Sequence, residues 1–81
     1  MALPENEVLA HLADIVSEET GIDAAEIQMD KSFTDDLDID SLSMMTIVTL
    51  AEEKFDVRIP DEEVKNLVTV GDAVKFIANQ D

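Results

Sequence analysis

A single serine, Ser41, ends an acidic run in the segment 34–45, TDDLDIDSLSMM. Four aspartates precede it (Asp35, Asp36, Asp38 and Asp40), and an apolar helical pattern follows it. The chain has no cysteine and only one histidine. Three kinds of chemistry use a hydroxyl in such a setting: calcium ligation, nucleophilic catalysis, and covalent modification by another enzyme.

Calcium ligation is suggested by Asp36, Asp38 and Asp40, which are spaced like the first ligands of an EF-hand loop. That loop needs glycine at its sixth position and a bidentate glutamate at its twelfth. Counted from Asp36, these positions are Ser41 and Ile47, so both requirements fail. We predict no dedicated metal site, and only loose divalent binding to the acids stays open.

Nucleophilic catalysis by Ser41 lacks its supporting groups, because a nucleophilic serine needs a nearby base and donors that stabilise an oxyanion. The lone histidine, His11, lies on another predicted helix, and the surrounding carboxylates would oppose a developing negative charge. Modification by another enzyme fits better. A phosphate ester is favoured at a helix N-terminus, and the acids offer a handle to a basic enzyme. If the segment served only to start a helix, this role would explain Asp40 but not the other acids.

The composition narrows the class of protein. A net charge of −15, from 20 acidic and 5 basic residues, repels nucleic acid and anionic membranes and attracts proteins that present Arg and Lys. Residues 1–13 lack the features of a signal peptide, and no apolar run approaches the roughly 20 residues that span a bilayer. We predict a single domain over residues 1–81, in a soluble, cytoplasmic, monomeric protein without membrane insertion.

The hydrophobic periodicity predicts an all-α fold, a small four-helix bundle of three main helices and one short helix with a long first loop. The first helix begins near Pro4 and ends at Gly21, a favourable C-cap. Residues 22–40 form the loop, which isolated apolar residues should pin to the core. One helical turn is expected within it, around residues 24–27.

The second helix is predicted from Ser41 to Phe55, with Asp40 as its N-cap. A short third helix runs from Asp61 to about residue 67, and Thr69 caps the fourth. On the second helix, two apolar residues that share one helix face, Leu42 and Met45, fall outside the inward-facing stripe. Because acids surround this pair, we interpret it as a docking surface.

The triplet Asp40-Ser41-Leu42 resembles the D-S-L signature of acyl carrier proteins, at which 4′-phosphopantetheine is attached. The following helix and the segments EEKFDV (52–57), IPDE (59–62) and TVGDAV (69–74) resemble the same family at its spacings, so that the resemblance covers nearly the whole chain. The region 30–44 is most similar to the type II fatty-acid carriers of high-GC Gram-positive bacteria.

The resemblance implies that Ser41 receives 4′-phosphopantetheine from coenzyme A through a phosphopantetheinyl transferase (holo-ACP synthase). The arm would supply the thiol that the chain lacks. The protein would then be a non-catalytic carrier that holds growing fatty acyl chains as thioesters and delivers them to separate fatty-acid synthesis enzymes with basic patches. The alternatives are a carrier of the same fold for polyketide or other specialised acyl chemistry, and an unmodified acidic helical adaptor.

Site residues follow from the resemblance and from the predicted helix faces. Asp40 and Leu42 flank the attachment residue Ser41. The expected docking residues are Asp36, Asp38, Met45, Glu52 and Glu53. Burial would shelter an acyl chain and contributes about 0.8 kcal/mol per methylene. The expected acyl pocket is Met44, Ile47, Val48, Phe55, Ile59 and Ile77. Two positions depart from the family pattern, Thr46 where many members carry an acid and Lys54 within an acidic run.

Overall fold

The computed structural model describes residues 4–79, in which the regular elements are four α-helices and one short 3₁₀ turn. The helices are α1 (Glu5–Thr20), α2 (Ser41–Phe55), α3 (Asp61–Val64) and α4 (Val70–Ala78), and the 3₁₀ turn spans Ala24–Glu26. The predicted all-α architecture, with one short helix and a long first loop, is confirmed. Across residues 4–79, no helix is long and apolar enough to cross a membrane.

Local capping chemistry sets most of the helix boundaries. α1 ends at Gly21, which adopts a left-handed conformation (φ 81°) and donates its N–H to the Ser17 carbonyl. A side-chain oxygen of Asp40 accepts the Ser43 N–H at 2.8 Å and starts α2. Thr69 and Asp72 form a reciprocal capping box at the start of α4. The predicted starts of α2 and α4 and the predicted end of α1 are therefore confirmed.

The third helix is shorter than predicted, because it ends at Val64 rather than near Leu67. Beyond Val64, the N–H groups of Asn66 and Leu67 donate to carbonyls three residues back, which is the pattern of tight turns. The carbonyl of Val68, the residue after Leu67, accepts the N–H of Phe33 rather than an N–H of a continuing helix. Pairing with the first loop thus competes with helix continuation here.

The core lies where α1 packs against α2 and α4. Among the described residues, every buried side chain is hydrophobic. The first loop contributes four of them, which confirms the prediction that apolar residues pin it: Ile27, Phe33, Leu37 and Ile39. α3 has no comparably extensive interface with another helix.

Backbone hydrogen bonds join the first loop to the beginning of α4. The Met29 carbonyl accepts the Gly71 N–H at 2.9 Å, and the Lys31 carbonyl accepts the Val70 N–H at 2.9 Å. This close approach requires glycine at position 71, because a Cβ there would lie 2.9 Å from the Met29 carbonyl oxygen. The loop that leads to Ser41 is therefore held at its middle by α4.

Gly71→Ala is expected to destabilise the protein. Helix propensity alone predicts a gain of about 1 kcal/mol for alanine in a helix. The added methyl group must instead displace the Met29 backbone, and such overpacking costs about 1–3 kcal/mol. A fall in the melting temperature measured by circular dichroism would confirm the prediction, whereas a rise would show that the loop moves aside freely. Gly21→Ala is the matched control. Alanine at position 21 strains the backbone, because φ is positive there, but its Cβ meets no other atom within 4 Å. It should therefore leave amide exchange around Met29 in the first loop unchanged.

Candidate functional site

Ser41 is exposed and is the first residue of α2. Its position is fixed by the preceding residue, because Asp40 is extended (φ −81°, ψ 174°) and its carboxylate makes the capping bond to Ser43. The cap is thus made by Asp40, and the Ser41 hydroxyl is not used for it. The result is an accessible hydroxyl on a rigid helix start, with the N-terminal N–H groups of α2 nearby.

The acids before Ser41 are exposed, but they are not equivalent. A carboxylate oxygen of Asp36 accepts the Ser32 N–H at 2.8 Å, so this side chain also closes a turn of the loop. Asp38 has a left-handed backbone (φ 53°), which aspartate tolerates better than most residues. This turn lies between the buried Leu37 and Ile39. The structure brings Asp36, Asp38 and Asp40 to the loop that leads to Ser41.

The acids do not form a metal centre in this structure. Within residues 4–79, no group of three or more His, Asp or Glu side chains is placed to hold a metal ion. The Asp36 carboxylate is instead bound within the first loop, where it accepts the Ser32 N–H. The acidic run is better described as a negatively charged surface around Ser41.

Apolar side chains are exposed next to the acidic surface. Leu42 is 77% exposed and Met45 is 56% exposed, which confirms the exposure predicted for this pair. Their role in docking stays a prediction. A third exposed apolar side chain, Val68 (55%), belongs to the segment between α3 and α4, and the sequence reasoning missed it. No periodic pattern in that segment signals which side chains face α2.

A mainly apolar cavity of about 340 Å³ lies beside Ser41. The start of α2 forms one wall, and the segment that contains α3 and the turn after it forms the other. The first loop closes the remaining side. The lining residues are Phe33, Thr34, Ile39, Asp40, Ser41, Met44, Met45, Val64, Lys65, Leu67 and Val68. A group attached to the Ser41 hydroxyl would have this apolar space within reach.

Of the six residues predicted to line an acyl pocket, only Met44 lines this cavity. Ile47, Val48, Ile59 and Ile77 are buried in the core, and the position of an acyl chain stays a prediction. Phe55 packs edge-to-face on His11 with ring centroids 6.0 Å apart, in a separate groove with Glu7, Val8 and Lys54. A helical stripe identifies inward-facing residues, but it does not reveal which of them meet a neighbouring helix and which meet a gap.

The two glutamates predicted for docking have different environments. Glu53 is exposed, whereas Glu52 is half-buried. A carboxylate oxygen of Glu52 accepts the Ile59 N–H at 2.8 Å. From the sequence, both residues were expected to be surface charges, but only Glu53 is exposed enough to be one.

A phosphate ester fits the position of Ser41. The hydroxyl is exposed, and the first turn of α2 offers backbone N–H groups and the positive end of its dipole. The cationic side chain of Lys65 lines the same cavity. Asp40, which precedes Ser41 in the sequence, has its carboxylate bound to the Ser43 N–H.

Comparison with known proteins gives a consistent result. A family model described as "Phosphopantetheine attachment site" matches residues 10–77. The acyl carrier protein of Beutenbergia cavernae is 73% identical over 78 residues, covering 96% of this chain and 95% of the relative. That of an Arthrobacter species is 74% identical over 73 residues, covering 90% of each. A solved acyl carrier protein from Enterococcus faecalis superposes with a TM-score of 0.81 at 34% identity, covering 98% of this chain and all of that one.

Proposed function

Because the chain belongs to the acyl carrier protein family, whose prosthetic group is 4′-phosphopantetheine, we propose that Ser41 carries this group and that the protein holds fatty acyl chains as thioesters. One observation supports the proposal most directly: Ser41 is an exposed first residue of α2 at an apolar cavity of about 340 Å³. The chemistry that the group supplies when bound is a thiol, which this cysteine-free chain lacks.

Attachment requires little of this chain beyond an accessible oxygen. In this step the Ser41 oxygen would bond to the phosphorus of the pantetheine phosphate, its proton would pass to a base of the phosphopantetheinyl transferase, and adenosine bisphosphate would leave from coenzyme A. Asp40 contributes by holding the helix start, and hence Ser41, in a fixed position. The protein itself is a non-catalytic carrier.

The cavity provides the second part of the function, which is shelter for the acyl chain. Its lining is mostly apolar, and Met44 and Met45 are unbranched side chains that adapt to a chain of variable length. Burial of each methylene contributes about 0.8 kcal/mol. The thioester is then shielded from water until a partner enzyme binds.

Recognition by partner enzymes is proposed to use charge first and apolar contact second. The net charge of −15 attracts basic surfaces over a range that salt limits to about 8 Å. The charge is supplied by three exposed acids, Asp36, Asp38 and Glu53. Leu42 and Met45 provide the apolar contact that is buried on docking. The partners are the modifying transferase and the enzymes of fatty-acid synthesis, each with a basic patch.

Glu53→Lys is expected to slow association with the transferase and to weaken its dependence on salt. Met45→Ala should leave the association rate nearly unchanged and speed dissociation, because it removes contact area rather than charge. The single charge reversal should be worth about 1 kcal/mol or less, since the site is exposed. Stopped-flow association across a range of salt measures both effects. An association rate that changes neither with salt concentration nor with the Glu53→Lys substitution would show that the acids serve solubility alone.

Isolation of the protein from its native cells tests the proposed function. Mass spectrometry of the thioesters on the arm should give a series of fatty acyl intermediates of increasing length. Predominantly unreduced keto-acyl chains would instead support a polyketide carrier. Protein that carries no arm in any growth phase would support the unmodified adaptor and would contradict the proposal.

A further inference from the structure

Glu52 holds the chain that leaves α2 through two of its groups. Its backbone carbonyl accepts the Val57 N–H at 3.2 Å, and its carboxylate accepts the Ile59 N–H at 2.8 Å. The second bond joins positions seven residues apart across a turn in which Asp56 is left-handed (φ 55°). The bond from the Ile59 N–H is part-buried, which shields it from competition by water.

The segment that Glu52 holds is the foundation of α3. Ile59 is buried, and the carbonyl of the next residue, Pro60, accepts the N–H groups of Glu63 and Val64 that begin the helix. α3 has only four residues, its N-cap makes no side-chain hydrogen bond, and it has no extensive interface with another helix. The bond from the Ile59 N–H to Glu52 is therefore one constraint on where α3 lies, beside the burial of Ile59 and Leu67 and the bond from the Phe33 N–H to the Val68 carbonyl.

α3 and the turn after it form one wall of the cavity beside Ser41. That wall consists of Val64, Lys65, Leu67 and Val68. The opposite wall belongs to α2, the same helix that carries Glu52. Glu52 thus connects the two walls from the far end of α2.

We propose that Glu52 is a positioning residue whose carboxylate holds the α3 wall against α2 and so sets how well the cavity shelters an acyl chain. The proposal rests on the proposed function for its acyl part only. It also reassigns Glu52, since the role requires a hydrogen-bond acceptor rather than a surface charge. The neutral isostere glutamine retains an acceptor oxygen, whereas alanine does not. Glu53 is the matched control, because it is adjacent on α2 and exposed.

Amide hydrogen exchange on the protein without its arm tests the positioning role. Glu52→Ala should speed exchange at Ile59, Val64 and Leu67 by up to about tenfold, the loss expected for one part-buried hydrogen bond. Glu52→Gln should stay near the wild-type rate, and so should Glu53→Ala. Ile15→Val, a buried truncation in α1, controls for general destabilisation and should not single out these amides. Wild-type exchange at all three amides in Glu52→Ala would overturn the proposal.

Thioester cleavage by hydroxylamine tests the consequence for the acyl chain. The readout is the ratio of cleavage rates for acetyl-loaded and octanoyl-loaded protein, because an acetyl group is too short to use the cavity. Glu52→Ala should lose most of the octanoyl protection, and Glu52→Gln and Glu53→Ala should keep it. Equal losses in Glu52→Ala and Glu52→Gln would show that charge matters, against the proposal. If Ser41 accepts no arm, the proposed function fails, and the exchange experiment still decides whether Glu52 positions α3.

Discussion

Ser41→Ala is expected to abolish attachment of phosphopantetheine completely while the helical fold is retained. The attachment oxygen is lost, and no neighbouring group replaces it. The cap of α2 survives, because Asp40 and the Ser43 N–H make that bond without the Ser41 side chain. Alanine is also the residue with the highest helix propensity, so the stability should change by less than about 0.5 kcal/mol. Incubation with coenzyme A, magnesium and a transferase, followed by intact mass measurement, gives the first readout, and circular dichroism gives the second.

Ser43→Ala is the matched control for this variant. Ser43 lies two residues further along α2 and is half-buried, and its contribution to the cap is its backbone N–H, which alanine retains. The variant should accept the arm as the wild type does. A mass gain in Ser41→Ala would show that the hydroxyl used is another one, and the assignment of the site would then be wrong.

An octanoyl chain on the arm is expected to raise the melting temperature, whereas an acetyl group should leave it nearly unchanged. Octanoyl adds six methylenes to acetyl, and full burial of them would contribute up to about 5 kcal/mol. The cavity is partly open to solvent, so burial should be incomplete and the gain should be smaller than this limit. For a domain of this size, each 1 kcal/mol raises the melting temperature by about 4–8 °C. Differential scanning calorimetry of the two loaded forms measures the difference.

Two exposed apolar residues allow the cavity itself to be tested. Val68 lines the cavity and is 55% exposed, whereas Leu50 is 37% exposed on α2 and does not line it. Val68→Asp should therefore reduce the octanoyl-dependent gain, because it places a charge beside the buried chain. Leu50→Asp should preserve the gain. Identical melting of the acetyl and octanoyl forms in the wild type would mean that the chain is not sheltered in this cavity.

The sequence predicts the helix boundaries well wherever one residue acts on its near neighbours. Gly21, Asp40 and Thr69 each end or start a helix through bonds that reach three or four residues. The exposure of Leu42 and Met45 also follows from the helical period, because both fall outside the inward stripe of α2. These features depend on local chemistry, and local chemistry is visible in a single sequence.

Features built from distant segments could not be predicted in the same way. The cavity wall formed by Val64, Leu67 and Val68 spans the end of α3 and the turn after it, where the helix stops earlier than predicted and the Val68 carbonyl accepts the Phe33 N–H of the first loop. The bond from Glu52 to Ile59 crosses a left-handed turn. Glu52 has the same sequence context as any acid at the polar edge of a helix, so its role emerges only from the fold.

Peptide mapping of the enzymatically modified wild-type protein tests the central claim most directly. The chain has four serines, and tandem mass spectrometry of its digest locates the phosphopantetheine among them. The account predicts one modified residue, Ser41, at full occupancy. An arm on Ser17, Ser32 or Ser43, or a protein that accepts no arm from an active transferase, would contradict it.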